Sequence, residues 1–322
     1  MRSAKIPSLF FDMDKGDFER IYNDKELKCK AYMEIVDGDG GIQYSDKIKH
    51  ITVRGNKTAE WYKKGFTISL RQPDSLLGLN KERKFVLLAN AQENTKMLYK
   101  LTLDIARDVG MQYVPRMEYI DVYINGTYWG NYLLAEKIDA VDGVFNKDNS
   151  NIEISSLIEK DYPVYAAKEK YTFKLNRNYD FSVHYPEELM NYQLEDLRDK
   201  YEEIDKDILL NDTSVLQKID AKSFAYMHII SEMSLNVNTN VTSSFFYTNK
   251  DSPLIYAGPP WDYDAGYGPY AVTDYQDSLN GTSDEIPNIR GEEIALDWFG
   301  RLNSFPEYYE TLRDCYLEMR QK

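Results

Sequence analysis

Cysteine is nearly absent from this chain. Only Cys29 and Cys315 occur, far apart, so neither a disulfide framework nor a cysteine-based zinc site organises the fold. Histidine is almost as scarce. His50, His184 and His228 stand singly with no ligand spacing, the pattern of ordinary surface or core histidines. No apolar run approaches the length needed to span a bilayer, and Met1-Arg2-Ser3-Ala4-Lys5 is not followed by a signal-peptide core. Basic residues are outnumbered, 39 Lys and Arg against 53 Asp and Glu. The resulting net charge of -14 argues against a general affinity for nucleic acid or anionic membrane, and is compatible with a basic protein partner. Internal repeats and low-complexity linkers are missing too.

What is present is a globular composition. The 322 residues are 43% hydrophobic and 29% charged, with 27 tyrosines and 13 phenylalanines, which argues against disorder. That length suffices for one large or two modest domains with a real core.

The first half reads as strands with one good helix. Residues 30–36 alternate and then turn at Asp37-Gly38-Asp39-Gly40-Gly41. Ile48 to Val53 and Phe66 to Leu70 read as further strands. A helix is expected over Thr95–Val109, with Leu98, Leu101, Ile105 and Val109 on one face and Gly110 as its stop. Residues 118–124 and 127–135 flank Asn125-Gly126, the strongest short hairpin signal. In the second half, Pro186–Ile204 reads as a charged amphipathic helix opening on its proline. Ser223–Ser234 reads as a buried helix, 244–248 with 254–257 as a second hairpin, and 298–319 as helical. The polar stretch Asn146–Tyr185 between the halves reads as a long functional loop.

Two carboxylates, Asp262 and Asp264, follow that second hairpin in Gly258-Pro259-Pro260-Trp261-Asp262-Tyr263-Asp264-Ala265-Gly266-Tyr267-Gly268. A strand running into a turn would set both at the mouth of a cleft. Hard cations take oxygen ligands, and a magnesium site often uses one or two carboxylates with phosphate oxygens completing the shell. The same spacing also serves as a cap or a solvated loop. The order of elements matches the way protein kinases build an ATP cleft, with a lysine at the third strand and a metal-binding Asp after a short hairpin. Other α+β proteins share that order.

The motifs go further. Val53-Arg54-Gly55-Asn56-Lys57-Thr58, Lys63-Lys64-Gly65-Phe66-Thr67-Ile68-Ser69-Leu70, residues 122–136 (Val-Tyr-Ile-Asn-Gly-Thr-Tyr-Trp-Gly-Asn-Tyr-Leu-Leu-Ala-Glu), Tyr185-Pro186-Glu187-Glu188 and residues 258–268 run in one order over nearly the whole chain. In these segments the chain resembles the CotH kinase family, atypical secreted or spore-coat protein kinases. The resemblance implies an α+β, two-lobed, kinase-like fold. A small sheet-rich N-lobe would span residues 1–138 and a larger helical C-lobe residues 139–322. It implies ATP and a divalent cation (Mg, Mn or Ca) as cofactors, and a protein acceptor with a Ser or Thr hydroxyl. An acidic surface favours a Lys/Arg-rich acceptor. The implied setting is extracellular, at the cell surface or in a spore coat.

By the same resemblance Asp262 is the metal-binding Asp, with Asp264 as a further metal candidate, and Lys64 is the lysine that reaches the nucleotide phosphates. Arg54 either steadies phosphates or forms a structural ion pair, with Gly55 allowing close backbone approach. Glu136 either contacts the nucleoside or braces the hinge. Two departures stand out. The segment 232–238 matches the catalytic loop, where the family has Asn-x-Asp, yet this chain has Asn238 at the Asp position. An amide cannot take the hydroxyl proton, so a severe rate loss is expected at Asn238. The second departure is Leu98-Tyr99-Lys100, where the family often has Arg-Asn, which leaves Glu93 as a guess for the partner of Lys64. Three functions stay open: a CotH-type protein kinase, a nucleotide-binding pseudokinase acting as an assembly module, and a kinase-fold enzyme running adenylylation or glutamylation.

Overall fold

The computed structural model describes residues 5–91, 93–138, 155–161, 163–175, 180–234, 236, 242–249, 251–267 and 298–321. Within them the chain is mixed α+β with two sheets. It divides into two compact units, Met1–Lys100 with Pro115–Asp142, and Leu101–Val114 with Gly143–Lys322.

The first unit is built on eight strands: β1 (Ser8–Asp12), β2 (Tyr32–Val36), β3 (Ile42–Lys47), β4 (His50–Arg54), β5 (Gly65–Asp74), β6 (Glu82–Leu88), β7 (Met117–Ile124) and β8 (Thr127–Glu136). Their order in the sheet is β3-β2-β1-β7-β8-β6-β5-β4. Only β1 and β7 run parallel. The sheet curls until its far side meets the chain ahead of β2. Cys29 and Ile51 exchange backbone hydrogen bonds of 3.0 and 2.8 Å, and the Ile48 N–H donates to the Ala31 carbonyl at 2.9 Å. Curling of this kind covers a sheet edge and encloses a core. Alternation supplies that core: Phe66, Ile68 and Leu70 on β5 are all sealed from solvent, facing Leu9, Ile51 and Leu134. Helix α1 (Lys15–Asn23) follows β1, its first turn capped by the Asp14 carboxylate. Asn125 (φ 49°) and Gly126 (φ 77°) form the expected left-handed hairpin turn between β7 and β8.

Helix α2 (Leu98–Asp108) lies between β6 and β7, and the division between the units falls within it. The second unit continues with β9 (Ser156–Asp161), α3 (Pro163–Ala166), β10 (Thr172–Lys174), β11 (Asp180–Tyr185), α4 (Asn191–Leu209), α5 (Ala221–Ser234), β12 (Ser244–Asn249), β13 (Ser252–Ala257), α6 (Trp298–Leu302) and α7 (Pro306–Met319). Its five strands form an antiparallel sheet in the order β10-β11-β9-β12-β13. One face of this sheet packs on helices through aromatic rings. Phe181 lies 5.5 Å from Tyr201 of α4, and Phe246 lies 5.8 Å from Phe224 of α5 and 5.1 Å from Trp298 of α6. The Trp298 indole N–H donates to Asp205 at 2.8 Å, so the one polar group of that ring is satisfied in the core.

Several expectations need correction. Asn146–Tyr185 is not a loop throughout, since its described part supplies β9, β10 and β11. Glu159, Asp161, Ser182 and His184 interrupt the apolar run there and hide the strand signal. The second unit is therefore not simply helical, and the sheet of the first unit is the larger of the two. Helix α4 begins at Asn191, later than Pro186, where the Met190 N–H is taken by the Gln193 side chain at 2.9 Å. The buried side of α2 is Tyr99, Thr102, Leu103, Ala106 and Val109, whereas Leu101 is 45% exposed. The closing helix is two helices, with Pro306 starting the second. Strands β1, β3 and β6 and helix α1 have no counterpart in the sequence reading. β3 is an edge strand exposed along most of its length, so it carries no alternation to detect.

Truncating the aromatic layer is expected to be costly. Phe246→Ala should lower the urea-unfolding free energy by about 3–5 kcal/mol, the usual penalty for removing a core phenylalanine. Tyr62→Ala, at a ring 88% exposed, should change it by no more than about 0.5 kcal/mol.

Candidate functional site

Strand β13 carries the chain to Gly258, whose φ of 113° favours glycine, and where a Cβ would press on Met111 Cε at 3.0 Å. Asp262 then adopts the left-handed conformation (φ 64°, ψ 50°) and opens a single 3-10 turn over Tyr263–Ala265. A non-glycine residue pays roughly 1–2 kcal/mol for that backbone, and such residues persist where their surroundings over-determine them. The surroundings here are the last turn of α5. The Tyr263 hydroxyl meets Ser231 at 3.4 Å, and the Tyr267 N–H donates to the Ser234 carbonyl. Gly266 is needed because a Cβ would lie 3.0 Å from that same carbonyl. The Tyr267 hydroxyl reaches Thr102 of α2 at 2.9 Å.

Two contacts from the other side complete the hold on Asp262. The Asn236 amide donates to the Asp262 carbonyl, and the Ser243 hydroxyl donates to its carboxylate, each at 3.4 Å. The carboxylate itself remains half-buried, as does that of Asp264 in the same turn. Two carboxylates two residues apart are a donor set a hard cation takes when phosphate oxygens complete its shell. No group of three or more His, Cys, Asp or Glu suited to a metal occurs among the described residues.

The sheet face turned away from the aromatic layer is mixed around β9, with Leu157 and Phe245 buried beside polar groups. Glu159 and His184 share it, with Glu159 Oε2 and His184 Nε2 2.6 Å apart and side chains only 13% and 19% exposed. Burial pushes the Glu159 carboxyl up, the His184 hydrogen bond opposes that, and the charges of Asp161 and Asp262 push it up further. Thr242 donates to Asp161. The sequence reading missed this cluster because it placed these residues in a loop. A period of two over Leu157, Glu159 and Asp161 is the signal that marks them as one face.

The remaining candidates lie in the first unit. Of the adjacent lysines, Lys63 is the caged one. Its ammonium donates to the carbonyls of Ala89 (2.7 Å) and Asn131 and stands 4.3 Å from the Tyr132 ring centroid. Burial, with Lys96 nearby, lowers its pKa to about 8. Lys64 donates to the Ala59 carbonyl and lies 4.7 Å from the Tyr22 ring centroid. Arg54 ends β4 opposite Gly65, whose missing side chain makes room for its stem. Gly55 takes φ 107°, and a Cβ there would collide with the Thr58 hydroxyl. Glu136 is sealed at the end of β8 with both oxygens occupied, one by the Asn80 N–H at 2.8 Å and one by the Arg116 N–H at 3.0 Å. That is a brace for the backbone. Glu93 accepts the N–H groups of Thr95 and Leu98 and so caps α2. Asn238 lies outside the described residues, as does Gly268. Asn236, two positions before Asn238, is the residue that touches Asp262.

The family model for CotH kinase protein matches residues 51–322, so the chain belongs to the CotH kinase family. No curated protein matches the chain.

One titration is expected from the α5 end of this site. Burial raises the Glu232 carboxyl from 4.5 to about 7, and its Oε2 has no hydrogen-bond partner. A carboxyl raised on folding contributes stability that is intact below pH 4.5 and lost as pH climbs through about 7. Glu232→Gln should therefore raise the melting temperature at pH 8 and leave it nearly unchanged at pH 4, read by calorimetry at both.

Proposed function

We propose that this CotH kinase family member transfers the γ-phosphate of ATP to a Ser or Thr hydroxyl of a protein, at a site built around Asp262. The observation that carries the reading is the strained Asp262 turn, held by the end of α5 and reached by Asn236, within a chain whose family is one of kinases. The two compact units correspond in this reading to the lobes of a kinase-like fold. Asp262 and Asp264 are the residues that would hold the divalent cation. Such a cation would supply positive charge to offset that of the nucleotide phosphates. Lys64 contacts the phosphates after leaving the Ala59 carbonyl, and Arg54 steadies them. The acidic chain favours a Lys/Arg-rich acceptor. The setting we propose is the cell surface, the extracellular space or a spore coat.

Asn238 favours a second reading, a nucleotide-binding assembly module without transfer, because its amide has no useful basicity. Adenylylation or glutamylation would also release the enzyme from the usual base.

Melting in the presence of ATP and Mg²⁺ separates binding from none, since a ligand that binds only the native state raises the midpoint. The shift should appear with the native chain and vanish with Asp262→Ala. Transfer of label from γ-labelled ATP, with none from α-labelled ATP, is the expected sign of phosphorylation. Asn238→Asp should increase it. Equal shifts for the native chain and Asp262→Ala would remove Asp262 from the site.

A further inference from the structure

Phosphoryl transfer to a hydroxyl needs a group that orients the acceptor and takes its proton, usually a carboxylate. The loop that brings Asn236 to Asp262 offers none. From Leu235 to Asn249 the chain contains no Asp or Glu, and the polar groups of its first half are Asn236, Asn238, Thr239 and Asn240. The nearest strand does offer one. β9 is the central strand of the second sheet, and Glu159 projects from it on the face it shares with His184. β12 pairs with β9 so that Ser244 opposes Lys160, which brings Ser243, the donor to Asp262, beside the end of β9. Burial pushes the Glu159 carboxyl up most, and the charge of Asp262 adds a smaller push.

We propose that Glu159 is the carboxylate that orients the acceptor hydroxyl and accepts its proton, with His184 as its positioning residue. This rests on the phosphotransfer reading above and deepens it.

Four features of the face support the assignment. The first is that Glu159 is aimed. His184 Nε2, from the neighbouring strand β11, fixes Oε2 at 2.6 Å, and the Phe245 ring, 5.6 Å from the imidazole, backs His184. The second is partial access: a side chain 13% exposed is dry enough to hold geometry and open enough to meet a substrate hydroxyl. The third is an unmet polar group. Ser182 pairs with Glu159 across β11 and β9, so their side chains stand on the same face. It is fully buried, and its hydroxyl has no hydrogen-bond partner. A native fold seldom leaves such an atom alone unless something else comes to it. The fourth is cost. A buried carboxylate near Asp161 and Asp262 meets two like charges, an arrangement that destabilises the fold and is characteristic of functional sites. Asp161 is the weaker choice because Thr242 already donates to it. Glu232 belongs to α5, and Asp262 is not among the groups that shift it.

The step balances. The acceptor oxygen bonds to the γ-phosphorus as the bond from that phosphorus to the β–γ bridging oxygen breaks. The nucleoside diphosphate leaves with the electron pair, and the hydroxyl proton passes to Glu159.

The test uses the full chain with γ-labelled ATP, Mg²⁺ and a Lys/Arg-rich Ser/Thr peptide, scoring labelled peptide and labelled protein together. Glu159→Gln should lower kcat at least about 100-fold, with the KM for ATP and the ATP-induced melting shift unchanged. Glu159→Asp should recover part of the rate, and His184→Asn should fall between native and Glu159→Gln. If Glu159→Gln fails to fold, the Asp and His184→Asn variants carry the test through the same split of kcat from KM. Native rates in these variants would overturn the proposal and leave the kinase reading standing. ATP binding by the native chain without any labelling would also overturn it, in favour of the binding module. Absence of ATP binding would overturn both readings together.

Discussion

The docking of the turn after β13 onto the end of α5 is the constraint on which the site depends. Asp262 occupies a backbone region that an aspartate leaves unless it is held. Tyr263, Gly266 and Tyr267 hold it from one side against Ser231 and Ser234, while Asn236 and Ser243 hold it from the other. No single one of these bonds is strong. Several of them, at 3.4 Å, contribute on the order of 1 kcal/mol or less apiece. Their effect is collective, because they fix both ends of a three-residue turn whose middle carries Asp264. The Asp262 carboxylate is thus placed by backbone and neighbouring side chains, before any ligand arrives.

That docking in turn needs a rigid base, and the second sheet provides it by dividing its faces. The face toward α4, α5 and α6 is aromatic, with Phe181, Phe246, Tyr201 and Trp298 in mutual ring contact. Large rings in offset or edge-on contact bury much area at low side-chain entropy, so the β12–β13 hairpin cannot slide relative to α5. The opposite face can then carry groups that a core would reject. Glu159 and His184 satisfy each other there, and Ser182 is left with its hydroxyl unmet. The aromatic face meets the helices, while the opposite face mixes Glu159 and His184 with the buried Leu157, Phe245 and Tyr247.

Much of this was legible in the sequence where a local signal was clean. Asn125-Gly126 determined a hairpin because only a left-handed pair of residues closes such a turn, and Phe66, Ile68 and Leu70 marked a half-buried strand by simple alternation. The hairpin that leads into Asp262 was legible because its two short apolar strands are compact. The strands β9 to β11 were not. Their apolar positions alternate with Glu159, Asp161, Ser182 and His184, and charge in a strand reads as loop until its partner strand is known. Lys63 and Lys64 could not be told apart either. Which of two adjacent lysines enters a cage of carbonyls depends on β6 and β8, which supply Asn131 and the neighbourhood of Ala89 from far along the chain. Glu136 carried two readings, and only the positions of the Asn80 and Arg116 amides give the carboxylate its bracing contacts.

The contrast between Asn238 and Glu159 follows from the same difference between local and spatial information. A motif compares residue types at fixed positions, so an amide at position 238 reads as a missing group. Proton acceptance has no such requirement. It needs a carboxylate held at the correct distance and angle, and the residue can come from any element that reaches the place. β9 is linked to the Asp262 turn through β12, which pairs alongside it, and β13, which leads directly into Asp262. A carboxylate on a central strand is also better fixed than one on a connecting loop, since ladder hydrogen bonds on both flanks immobilise its backbone and His184 immobilises its tip. In the proposed arrangement a strand residue takes the part that a motif assigns to a loop residue, and the strand gives it the more rigid backbone. The cost is that Glu159 is buried and carries like charge to Asp161 and Asp262, so burial first and those charges further push its carboxyl up.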